Sequence, residues 1–139
     1  MTYALKMTAA TQALAEARAL PVRADMRDDF ASEAAALPIG PIWTLYEGDR
    51  VVGLGGLERR GAGTSAGWLL VPEGLTARDW AKGRRAILEV LQWASWHSVR
   101  RVAAVVEAGN IGAQRLLARL GFEPADRAGD DITMIRELV

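Results

Sequence analysis

The chain has no cysteine and a single histidine. The first absence excludes disulfides, thiolate metal sites and a cysteine nucleophile, and it is consistent with a reducing compartment. The second excludes multi-histidine metal centres and most triad arrangements. Net charge is lacking too: Lys and Arg together number 17, as do Asp and Glu. No global field therefore favours nucleic acid or an acidic membrane surface. No window approaches the roughly 20 apolar residues that a membrane span needs. The Ala-rich N-terminus lacks the long apolar core of a signal peptide. These absences point to a cytoplasmic protein with no nucleic-acid, membrane or metal partner.

What is present is a core. Half of the 139 residues are hydrophobic, which suits one compact domain over residues 1–139. Residues 5–7 read as a short first strand. Thr8 is placed to cap a helix running to about Ala19, with Leu14 among its few large apolar groups. Pro21 interrupts it. A second helix is expected over residues 24–36, with Met26, Phe30 and Leu37 as apolar contacts, closed by Pro38, Gly40 and Pro41. The middle is β. Ile42–Glu47 and residues 51–58 flank Gly48-Asp49-Arg50, a strong hairpin signal. Gly53, Gly55 and Gly56 suggest a bulge or a close approach by another backbone. Residues 65–71, SAGWLLV, form the third strand of the meander, stopped by Pro72-Glu73-Gly74.

Residues 76–96 are the longest helix, with a capping-box start at Thr76 and Asp79. Trp80, Gly83, Ile87, Val90, Leu91 and Ala94 share one stripe at helical spacing, taken as the core face. Trp96 lies opposite that stripe and Trp93 on its flank. Five tryptophans are many for this length. Trp93 and Trp96 are therefore candidates for a homodimer or protein interface, or for packing against the N-terminal helices. Residues 102–106 are an all-apolar run, the pattern of a buried central strand. A helix follows Asn110, and residues 123–127 and 132–138 close the chain as a hairpin across Gly129-Asp130.

The helix after Asn110 is the most specific stretch. In NIGAQRLLARLGF, Asn110 can cap the first turn. Ala113, Leu116, Leu117 and Leu120 fall on one face. Gly121 suits the left-handed position past the end, with Phe122 folding back on the last turn. This segment resembles the fourth-helix signature of the GNAT superfamily of acyl-CoA N-acyltransferases, N-x-x-A-x-x-L, an aromatic position, then L-G-F. The order β-α-α-β-β-β-α-β-α-β-β is also the element order of that fold. The resemblance implies an α/β (α+β) domain with a mixed, mostly antiparallel sheet flanked by helices. It covers the chain well from Ile42 onward, and the N-terminal third by helix count only.

The resemblance further implies acetyl-CoA as co-substrate and an unidentified amine as acceptor, which attacks the thioester directly. The pantetheine arm would pair with backbone at Leu69, Leu70 and Val71, where an N–H would polarise the thioester carbonyl. Phosphates in this family sit at the start of the long helix on an R/Q-x-x-G-x-G/A pattern. The best match is Arg78-Asp79-Trp80-Ala81-Lys82-Gly83. It keeps the last Gly but has Ala81 for the first, with a bulky Trp80 and a repelling Asp79. Lys82, Gly83 and Arg84 are the candidate phosphate contacts, Arg85 suiting a solvated face better. Asn110 and Leu117 would line the cofactor. Many relatives carry a tyrosine general acid at the position of Leu117, and here that side chain is apolar. Glu58 is the leading candidate base, with Glu73 and Glu107 behind it. His97 reads as a helix-end residue. A weaker similarity, to GNAT-like proteins of tailed phages, implies the alternative of a structural or binding protein of a virion or gene-transfer particle.

Overall fold

A computed structural model describes residues 2–19 and 40–138. Their elements are β1 (Tyr3–Thr8), α1 (Ala10–Ala19), β2 (Ile42–Glu47), β3 (Arg50–Gly61), β4 (Thr64–Leu70), α2 (Ala77–Trp96), β5 (Arg101–Glu107), α3 (Ile111–Arg119), β6 (Glu123–Ala128) and β7 (Asp131–Glu137). The expected second helix, over residues 24–36, lies outside the described residues. The strands form one seven-stranded sheet in the order β1-β2-β3-β4-β5-β7-β6. β4 and β5 run parallel, whereas β1–β2, β2–β3, β5–β7 and β6–β7 run antiparallel. The mixed, mostly antiparallel sheet is thus the one expected. By compactness the chain divides into two units, Met1–Glu58 with Leu69–Ala86, and Arg59–Trp68 with Ile87–Val139. The division runs through β3, β4 and α2 themselves.

In the first unit, β2 and β3 meet across Gly48-Asp49, and Gly48 takes the positive φ of 59° that a tight hairpin turn requires. The register pairs Leu45 with Gly53 but Tyr46 with Val51, leaving Val52 as the extra residue. The bulge expected at the glycines therefore falls at Val52, beside the first of them. Gly53 itself answers to close approach: a Cβ there would lie 3.2 Å from Val71 Cγ1 and 3.4 Å from Leu70 O. Leu45, Val52 and Ala86 form a buried core cluster with Tyr3, Leu5 and Leu75 packed on it.

Two expectations on this unit are corrected. Thr8 does not cap α1, because it ends β1, where its hydroxyl lies 3.2 Å from that of Thr44. Trp80 does not face the core: it is 42% exposed, whereas Asp79 beside it is 2% exposed. The departure is confined to the start of the helix, since Leu91 and Ala94 of the same stripe are buried as expected. The carboxylate is the buried group, in place of the indole, because its partners neutralise it there.

In the second unit, β5 and β7 pair along their whole length, from Arg101↔Glu137 to Glu107↔Asp131. β6 joins β7 across Gly129-Asp130, with Gly129 at φ 61°. Leu91, Ala94, Val102, Leu120, Phe122 and Met134 are buried. The run over residues 102–106 is not uniformly interior, and Val105 is 62% exposed. Side chains alternate faces along a strand, so Val102 and Val105 point opposite ways and only one of them reaches the core. The exposure of Trp96 agrees with its place opposite the stripe.

Candidate functional site

β4 is the strand on which the expected thioester contacts lie. Its parallel ladder with β5 covers Thr64↔Arg101, Ser65↔Val102 and Ala66↔Ala103. β4 nevertheless continues to Leu70 and β5 to Glu107. Among the described residues, β4 and β5 share no register pair beyond Ala66↔Ala103. Of the three predicted residues, Leu69 is exposed, Leu70 buried and Val71 half-buried.

The start of α2 is built differently from a phosphate cradle. Thr76 and Asp79 form a reciprocal capping box. The Asp79 amide donates to Thr76 Oγ1 at 3.1 Å, and the Thr76 amide donates to Asp79 Oδ2 at 3.0 Å. The intrahelical ladder then begins with Trp80 N–H on Thr76 O, 3.0 Å. Residues 78–83, which carry the degenerate motif, therefore lie inside the first two turns. A helix directs interior amides to its own carbonyls, so the Gly83 N–H is committed to the ladder. A Cβ on Gly83 would meet nothing within 4 Å, so neither packing nor backbone demands glycine there.

Asp79 has three further bonds. Tyr3 Oη donates to its Oδ1 at 2.7 Å, and Arg50 donates through Nη2 at 2.7 Å and Nη1 at 3.3 Å. Arg50 Nη2 also reaches Glu47 Oε1 at 2.6 Å. The Arg50 guanidinium, and after it the Tyr3 hydroxyl, hold the Asp79 carboxyl well below the usual range against the opposing effect of burial. Reciprocally, the bond to Asp79 pushes the Tyr3 hydroxyl up to about 12 and raises Arg50. Arg50 lowers Glu47. A negative charge thus already sits at the positive end of α2, where it complements the helix dipole. Sequence signals found half of this cluster. T-x-x-D flagged the capping box, but nothing local links Asp79 to Tyr3 and Arg50, which strand pairing brings in from far along the chain.

The cationic candidates are nearby in sequence but differently placed. Arg78 and Lys82, one helical turn apart, lie over the Tyr3 ring at 5.4 and 5.8 Å from its centroid. Arg84 and Arg85 are exposed. Glu58 is half-buried on β3. Glu73 and Glu107 are exposed. His97 sits at the end of α2, stacked on Trp93 with ring centroids 3.9 Å apart, its Nδ1 2.7 Å from Trp93 O. That is the helix-end role expected of it.

α3 carries the signature, and every feature of it has a structural partner. Asn110 Oδ1 accepts from the Ala113 amide at 3.1 Å. At the other end, Phe122 N–H reaches Leu117 O at 2.9 Å, Gly121 N–H reaches Ala118 O at 3.1 Å, and Gly121 has φ 89°. These are the paired bonds of a Schellman cap. Arg136 Nη1 adds a bond to Leu120 O at 2.8 Å. Leu116 and Leu117 are half-buried, and Leu120 and Phe122 are buried. Leu117 offers no proton at the position where the resemblance asks for one.

No family model and no curated protein matches the chain by sequence. Solved structures do match. It is similar to an acetyltransferase of the GNAT family from Staphylococcus aureus, with TM-score 0.77 and 16% identity, over 99% of this chain and 100% of that one. A Bacillus subtilis acetyltransferase crystallised in complex with CoA matches with TM-score 0.74 and 18% identity, over 99% and 100%. An IAA acetyltransferase from Bacillus cereus matches with TM-score 0.76 and 13% identity, again over 99% and 100%. The chain therefore has the GNAT fold. At these identities the likeness is one of architecture.

Proposed function

We propose that the chain is an acyl-CoA-dependent N-acyltransferase with acetyl-CoA as donor. The observation that carries this reading is the β4–β5 ladder, which stops after Ala66↔Ala103 although both strands continue. The fold supports it, being shared with acetyltransferases that include one bound to CoA. In this reading the pantetheine arm pairs with β4 at Leu69, Leu70 and Val71. A backbone N–H there donates to the thioester oxygen and stabilises the charge that develops on it. A neutral amine attacks the carbonyl carbon, the new C–N bond forms and the C–S bond breaks. Glu58 takes the proton released from nitrogen. With Leu117 in place of an acid, the sulfur leaves as thiolate, which a thiol pKa near ~8.5 makes feasible at neutral pH. Asn110 and Leu117 line the cofactor, and Lys82 and Arg84 supply the phosphate contacts around Gly83. The protein acts in the cytoplasm.

A second reading is favoured by one specific feature, the carboxylate of Asp79 at the tip of α2. There it takes the place where the family holds phosphate, and Leu117 lacks the acid. In that reading the chain is a catalytically silent binding or structural protein, of phage or gene-transfer-particle origin, with Trp93 and Trp96 toward a partner. Calorimetric titration with acetyl-CoA separates the two. Saturable binding that weakens in Lys82→Ala and Arg84→Ala supports the enzyme. Absence of binding at millimolar acetyl-CoA leaves only the second reading standing.

A further inference from the structure

We propose that Glu16, with Tyr46 and Gln12, forms a recognition site for a protonated amine. Gln12 and Glu16 stand one turn apart on α1, so they share a face. That face meets Tyr46 on β2. Tyr46 Oη donates to Glu16 Oε2 at 2.6 Å, and Gln12 Nε2 donates to Tyr46 Oη at 3.2 Å. The tyrosine proton is thereby committed, and burial followed by the Glu16 bond raises the Tyr46 hydroxyl above its ordinary range.

Glu16 Oε1 is left over. It is out of solvent contact and has no hydrogen-bond partner among the described residues. Buried polar atoms in folded proteins are paired almost without exception, so an orphan acceptor of this kind calls for a missing donor. The missing donor should be cationic. Tyr46 and Gln12 bring no charge, and no ion pair joins Glu16 to a Lys or Arg among the described residues. The Lys6 ammonium lies 5.7 Å from the Tyr46 centroid, over the ring. A metal ion is a poor fit, because no group of three or more His, Cys, Asp or Glu assembles among the described residues. Hard cations take six or more oxygen ligands. An ammonium needs only a carboxylate oxygen and neighbouring acceptors. Tyr46 is half-buried and Gln12 exposed, so the cluster reaches the surface.

Which amine is held rests on the acyltransferase reading above. A carboxylate stabilises the protonated form of an amine beside it, and a protonated amine cannot attack a thioester. Glu16 is therefore suited to an ammonium that does not react, and the acceptor is one carrying two basic nitrogens.

The probes are 1,4-diaminobutane and the neutral 1,4-butanediol, titrated by calorimetry into the full chain without acyl-CoA. The diamine should bind saturably and the diol should not. Glu16→Gln should weaken the diamine by about tenfold or more, the loss of one charge-assisted contact. Tyr46→Phe should leave it within about threefold, because the carboxylate that carries the recognition remains. Equal behaviour of diamine and diol on the unaltered chain overturns the site, whatever the variants do. So does undiminished diamine binding by folded Glu16→Gln. Acetyl-CoA is titrated separately. If it binds while the diamine does not, the amine site alone falls. If the diamine binds while acetyl-CoA does not, the acyltransferase reading alone falls.

Discussion

α2 and α3 both begin with a side-chain cap, yet the two starts are built on different physics. At α3, Asn110 closes the first turn with its own neutral amide oxygen, 3.1 Å from Ala113 N. The partners are three residues apart and nothing distant is involved. At α2, the capping carboxylate of Asp79 also holds Tyr3 from β1 and Arg50 from the start of β3. One start is a local turn device. The other ties strand ends to a helix and puts a buried charge where a phosphate would otherwise be attracted. The lesson is that a helix N-terminus in the right fold is not thereby an anion site. Its field is available only if the chain has not already answered it.

Removing the charge should break the difference most visibly. Asp79→Ala deletes a buried acceptor and strands the Arg50 and Tyr3 donors. Arg50 is 46% exposed, so water screens its share. The cost should therefore be about 2–3 kcal/mol, below that of a fully buried pair. Urea denaturation measures it. A change under about 0.5 kcal/mol, the range of ordinary surface substitutions, would mean the tie contributes nothing. The same carboxylate sets an acid limb. Its folded pKa is depressed, so its contribution is complete above the unfolded value near ~3.9 and is lost as pH falls toward the folded one. Asp79→Asn should flatten the stability curve below about pH 4.

Asn110→Ala probes the local cap and should cost about 1 kcal/mol, with no change in the acid limb. If the two caps proved equal in cost, the distant partners of Asp79 would be passengers.

The same contrast explains what was legible in the sequence. Asn110, Gly121 and Phe122 read correctly because capping and the Schellman bonds involve neighbours in the chain. The hairpin at Gly48 and the final one at Gly129 read for the same reason. Element order followed from these signals, and the fold from the order. Trp80 did not read, because hydrophobic periodicity assigns an aspartate to water and cannot see the arginine that brings it inside. Val105 did not, because an all-apolar run hides which face of the strand is covered. The Glu16–Tyr46–Gln12 cluster could not be read at all. It joins α1 to β2, and no spacing marks it.

The smallest effect belongs to the outermost partner of Asp79, and pH isolates it. The bond to the carboxylate keeps the Tyr3 proton in place up to about 12. In the unfolded chain a tyrosine loses it near ~10. A raised folded pKa means that the native state holds the proton more tightly. The stabilisation is therefore whole below the unfolded value and disappears as pH rises through the folded one. Tyr46 is raised as well, but it titrates in both proteins and cancels in their difference. The stability gap between the chain and Tyr3→Phe should thus be constant at neutral pH and close between about pH 10 and 12. A gap that stays constant through that window would show that the Tyr3 hydroxyl contributes nothing to the tie. The α2 start would then rest on Arg50 and Thr76 alone, one step nearer to the local cap of α3.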